Sequence, residues 1–144
     1  MKKLIALSAL LTFAISCNLR PKEIYYGEDS CHYCSMTIVD KQHAAQLITL
    51  KGKVYKYDAA ECMIQALTEM DRESVGLTLV TDYNAPSTLI EAQTATFIVS
   101  PGISSPMRAN LAALPSLEKA TLLQKVKQGN LYSWEEIQAH LINR

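Results

Sequence analysis

A chain of 144 residues, 49% hydrophobic and 19% charged, suffices for one ordinary globular domain or two very small ones and is apolar enough to build a core. Lys and Arg balance Asp and Glu at a formal net charge of zero, and no basic run is longer than Lys2-Lys3. That composition excludes a disordered chain and lacks the electrostatic footprint nucleic acid requires.

Lys2 and Lys3 precede an apolar stretch, Leu4 to Ile15, broken only by Ser8 and Thr12. It is too short to span a bilayer and suits the h-region of a secretory signal, so residues 1–16 read as a signal peptide. Ala14, Ile15 and Ser16 before Cys17 resemble the lipobox of bacterial lipoproteins, where the cysteine receives a diacylglycerol thioether; Ala14 stands where such boxes prefer Leu. Several acyl chains would hold the protein stably on a membrane of the cell envelope, facing the periplasm. The alternative is ordinary secretory cleavage with Cys17 unmodified. If Cys17 carries lipid, the domain keeps Cys31, Cys34 and Cys62, an odd number in a compartment that favours disulfides. At least one thiol then needs a protector, for which a metal is a candidate.

Residues 17–26, with Pro21 and little periodicity, read as lipidated cysteine and flexible tether, and residues 27–144 as the folded domain. Ala44–Leu50 and Lys53–Tyr57 flank Lys51-Gly52 as a β-hairpin. Asp58, with Glu61 three residues on, predicts a capping box for a helix over Ala59–Asp71, whose Ala60, Met63, Ile64 and Leu67 recur at helical spacing. Leu77–Asp82 and Ala95–Ser100 read as strands, Pro101–Met107 as a loop, and Leu117–Gln128 as a helix capped by Ser116 and stopped by Gly129. Ser133 and Glu136 form a second capping box for a final helix ending near Ile142. Small mixed units predict an α+β fold with small antiparallel sheets and helices. Each half, about 27–76 and 77–144, reads as a strand-strand-helix unit, without a residue-level repeat to mark a duplication.

The chemistry concentrates in "CHYCSM", Cys31 to Met36. A C-x-x-C pair serves thiol-disulfide exchange, structural zinc, a plain disulfide or a soft ion such as Cu(I). Redox pairs of the thioredoxin kind sit at a helix N-terminus, whereas "MTIV" after this pair is β-prone. Zinc wants four closed ligands, which Cys31, Cys34 and Cys62 with His32 or His43 supply only without the usual paired spacing. Met36 shifts the balance, because a thioether suits Cu(I) and not zinc, and a strand would place Cys34 and Met36 on one face. Met107, in the polar loop "SSPMRAN", adds a second thioether that packing or ligation would explain. Cys62 falls in the first turn of the predicted helix, where the dipole favours thiolate, although a small buried cysteine is the commoner arrangement. His140, near the end of the last helix, reads as structural. No hydrolase, phosphate-loop or H-E-x-x-H motif is present.

"CHYCSM" with "AAQL", "YKYDAAECM", "ATFIVS" and "SSPM", behind a lipoprotein signal, resembles the NosL family of copper-binding accessory lipoproteins. The resemblance implies two small strand-strand-helix units, no enzymatic activity, and Cu(I) ligation by a cysteine and a methionine that align with Cys34 and Met107. It implies delivery of Cu(I) to a copper-receiving enzyme or its membrane assembly complex, nitrous-oxide reductase in the family, by a monomer or metal-bridged dimer. Ser35 and Arg108 stand where the family often has glycine. Cys31 and Cys62, absent from some members, add either thiol ligands or a disulfide that leaves Cys34 free. A thiol-disulfide oxidoreductase using Cys31 and Cys34, and a lipid-anchored structural protein with a disulfide or zinc staple, are the alternative functions.

Overall fold

The computed structural model describes residues 19–143; the expected signal peptide, residues 1–16, and Cys17 lie outside that range. The first elements are β1 (Ala45–Thr49), β2 (Val54–Tyr57), α1 (Ala60–Glu69), a 3-10 turn (Arg72–Ser74), β3 (Val75–Thr81) and β4 (Leu89–Glu91). The second half carries β5 (Thr96–Val99), β6 (Leu111–Leu114), α2 (Leu117–Lys127), β7 (Asn130–Tyr132) and α3 (Trp134–Ile142). Three helices and two small antiparallel sheets make the α+β arrangement that the mixed pattern predicts.

β1 is buried along its whole length because it is flanked on both edges, by β2 and β3, in the sheet order β2-β1-β3-β4. The predicted hairpin forms with Ala45 opposite Tyr57, and Gly52 supplies the positive φ of 81° at which its turn closes. The second sheet, β6-β5-β7, repeats this wiring. In each half a hairpin leads into a helix, after which a third strand pairs antiparallel with the free edge of the first strand. The repeat that the sequence suggests therefore exists as connectivity. Its division does not fall at residues 76 and 77, inside β3, but after β4, because β3 and β4 complete the first sheet.

Other expectations need correction. Helix α1 runs Ala60–Glu69, and its N-cap is Ala59 with no side-chain cap; the predicted Asp58–Glu61 box is absent because Glu61 bonds elsewhere. Residues 22–26 do not belong to a free tether: Gln46 of β1 exchanges hydrogen bonds with the backbone of Lys22, and Ile24 is buried. Strands β4, β6 and β7 add to the two predicted beyond the first hairpin. By contrast, the Ser133–Glu136 capping box forms as read, and Ser116 caps α2 by accepting the Lys119 N–H at 3.3 Å. Gly129 is required where the chain leaves α2, since a Cβ there would lie 2.2 Å from the Val99 carbonyl oxygen.

The two halves share one apolar core. Leu47, Tyr57, Met63 and Leu67 of the first pack in one cluster with Phe97, Leu111, Trp134 and Ile137 of the second. The Phe97 and Trp134 rings lie 5.6 Å apart. A backbone bridge from Asp82 to Ala113 joins the sheets, with the Tyr83 N–H donating to the Ala113 carbonyl at 2.9 Å. Among the described residues no helix is long and apolar enough to cross a membrane.

Candidate metal centre

The segment from Cys31 to Met36 forms a closed turn and not the strand that its β-prone continuation predicts. The Ser35 N–H donates to the Cys31 carbonyl at 2.9 Å, the Cys31 N–H donates to the Met36 carbonyl at 2.8 Å, and Ser30 bridges Thr37 across the base. Ser35 closes the turn at φ 63°, in the left-handed region. A side chain in that region is costly, and glycine alone escapes the cost. The turn docks on β2 through the His32 N–H, which donates to the Lys56 carbonyl at 2.9 Å.

This turn sets Cys31 and Cys34 against the N-terminus of α1, which carries Cys62. The three Sγ atoms all lie within 4.8 Å of one another, and all three cysteines are free. Sulfur–metal bonds of about 2.3 Å hold three sulfurs of one ion about 4 Å apart, so the cluster fits a single soft ion with little movement. Cys31 and Cys62 are buried and Cys34 is half-buried. No histidine joins the cluster among the described residues. His32 instead stacks on Tyr55, with ring centroids 4.4 Å apart, and His140 packs on Tyr132 in the last turn of α3, a structural place.

The cluster is electrostatically prepared for a cation. The Cys62 S–H points at the Cys31 sulfur, which also receives the backbone N–H groups of Cys34, Asp58 and Tyr33. Together these hold the Cys31 thiol well below its usual range in spite of burial. The donor, Cys62, is pushed up in turn by that bond and by burial, and burial also raises Cys34. The positive end of α1 adds to the same preference for negative charge at the cluster.

Met107 approaches from the second half, on the loop Ser100–Asn110 that joins β5 to β6. A turn closed by the Arg108 N–H donating to the Ser105 carbonyl at 2.9 Å presents it, and Arg108 adopts φ 59°, again left-handed. Met107 is 39% exposed and lines a pocket of about 270 Å³ together with Tyr33, Glu61, Cys62 and Gln65. The structure thus brings Cys31, Cys34 and Cys62 together, and Met107 lines a pocket that Cys62 also borders. Met36, 54% exposed, follows left-handed Ser35, which interrupts the pleat that would align it with Cys34 on one strand face.

Glu61 and Ser105 escaped the sequence reading. Glu61 is buried in the first turn of α1, where its Oε1 accepts the Ser105 hydroxyl proton. Burial raises its pKa. No spacing in the sequence announces this pair, since 44 positions separate its members.

The sequence model of the NosL family matches residues 23–142. Among solved structures, the chain is similar to one described as the copper chaperone NosL from Shewanella denitrificans, with a TM-score of 0.71 and 22% identity over 82% of this chain and 95% of that one. At that identity the likeness establishes the fold. No curated protein matches.

Proposed function

The chain belongs to the NosL family, and from that premise we propose that it is a Cu(I) carrier of the bacterial cell envelope, not an enzyme. The observation that carries this reading is the convergence of three free thiols within 4.8 Å, with Met107 lining a pocket that Cys62 also borders. Thiolates and a thioether are soft donors that suit Cu(I), whereas structural zinc calls for four closed nitrogen or thiolate ligands. The C-x-x-C pair lies in a turn that leads into extended chain, not at a helix N-terminus, which speaks against a thioredoxin-like role.

In this reading the cysteine cluster, anchored by Cys34, holds one Cu(I), and Met107 closes the site from the pocket side. A neutral thioether is the weaker donor, so it yields first to an incoming ligand of the recipient. Stepwise exchange then moves the ion without releasing it to water. The recipient is a copper enzyme or its membrane assembly complex, and nitrous-oxide reductase is the family's example. Lipid on Cys17 holds the carrier on a membrane facing the periplasm; Cys17→Ala is expected to abolish fatty-acid labelling, and retained labelling would refute the anchor.

Anaerobic titration of residues 18–144 with Cu(I) against a competing chelator tests the carrier reading. One tightly held Cu(I) per chain is expected. Failure to take up stoichiometric Cu(I), or a strongly oxidising dithiol couple with no copper binding, would overturn it in favour of thiol-disulfide chemistry.

A further inference from the structure

A buried acid beside the metal centre has no place in the ligand set. Glu61 is buried beside Cys62, its neighbour in the first turn of α1. One carboxyl oxygen accepts the Ser105 hydroxyl proton, and the other is buried without a side-chain partner. Buried carboxyl groups are expensive, and an apolar side chain would fill the same space at lower cost. What a carboxyl supplies and a methyl group does not is a directional bond.

Ser105 is where that direction matters. Its hydroxyl donates to Glu61 and accepts the Leu111 N–H at 3.3 Å, and its carbonyl accepts the Arg108 N–H that closes the turn around Met107. The same stretch holds two non-glycine residues in the left-handed region, Arg108 at φ 59° and Asn110 at φ 58°. Such conformations persist only where the surroundings over-determine them. Buried Ala109 pins one side of Met107, and the Ser105–Glu61 bond pins the other to the very turn of α1 that carries Cys62.

We propose that Glu61 is a positioning residue for metal binding: acting through Ser105, it holds the Met107 loop of one half against the cysteine cluster of the other. The inference rests on the Cu(I) reading above and adds to it the part that joins the two halves. Groups that orient a ligand without touching the ion commonly change metal affinity by about 10- to 100-fold when removed.

A double-mutant cycle tests this. Cu(I) affinity is measured by chelator competition for the parent, Ser105→Ala, Met107→Leu and the double variant, with apo melting temperatures recorded on the same samples. Ser105→Ala is expected to weaken binding by about tenfold in the parent, no more than Met107→Leu itself, and by less than about threefold where Met107 is already Leu, because the latch acts through the thioether. Glu61→Ala breaks the bond from the other side and should match Ser105→Ala, also carrying the cycle if that variant does not fold; Glu61→Gln, which keeps an acceptor oxygen, should recover most of the loss. Equal losses in both backgrounds, or none in the parent background, would overturn the positioning role while leaving the carrier reading intact. Absence of Cu(I) uptake by the parent would instead remove the carrier reading and this inference with it.

Discussion

The two halves share a connectivity and differ in the loop that joins their first two strands. In the first, Leu50–Lys53 closes a tight hairpin on Gly52; in the second, Ser100–Asn110 reaches out to present Met107. The thiols occupy the opposite kind of setting, a turn closed by backbone hydrogen bonds and the first turn of α1, where the cysteines are mostly buried. In the proposed carrier, one half supplies a fixed thiol cluster and the other an exposed, replaceable thioether. A carrier needs both: donors strong enough to hold the ion, and one weak enough to leave.

The sharpest way to break this comparison is to remove the anchor. Cys34→Ser replaces an ionisable soft donor by a hard hydroxyl and should lower Cu(I) affinity by at least about a thousandfold, roughly 4 kcal/mol. The apo fold should survive, because Cys34 is only half-buried. Chelator competition that returned the parental affinity would move the anchor to Cys31 or Cys62.

A second test asks whether the halves are mechanically separate. Phe97 is fully buried in the core cluster that spans both, so Phe97→Ala should cost about 3 kcal/mol and lower the stability of the first sheet as well as its own. Hydrogen exchange checks this residue by residue. Protection of β1 that is unchanged by the substitution would show two independent units.

Met107→Leu conserves volume and removes only the sulfur. Apo stability should change by less than about 1.5 kcal/mol, while Cu(I) affinity falls about tenfold, with a matching loss of metal-induced stabilisation. If the apo protein unfolds and the affinity holds, Met107 is a packing residue. The smallest effect belongs to the two strained turns. Ser35→Gly and Arg108→Gly relieve left-handed φ values of 63° and 59°, and each should stabilise by about 0.5–1 kcal/mol after the added entropy of the unfolded chain is counted. A fall in melting temperature would show that these side chains make compensating contacts.

How much of this was legible depended on the distance over which each feature is set. The β1–β2 hairpin, the Ser133–Glu136 box and the stop at Gly129 are local, and their residue types declare them. Strand β6 is "LAAL", which has no β-branched residue and is a strand only because β5 pairs with it. Strand β7 is three residues long and depends on the same partner. Within the site, the C-x-x-C pair was visible, but the approach of Cys62, the shared pocket with Met107 and the Glu61–Ser105 bond are tertiary. Asp58 and Glu61 have capping-box spacing, yet both are buried and Glu61 turns to Ser105, so a tertiary hydrogen bond overrides the local one. The expected strand alignment of Met36 with Cys34 fails for a local reason, the left-handed backbone at Ser35, which no alternation rule foresees.

The central claim, a sulfur site assembled across both halves, is tested most directly by X-ray absorption at the copper edge of the protein loaded anaerobically with one equivalent of Cu(I). The account predicts a first shell of sulfur alone at about 2.3 Å, weakened in Met107→Leu by the loss of one sulfur scatterer. A shell containing nitrogen or oxygen, or one identical in the parent and Met107→Leu, would contradict it.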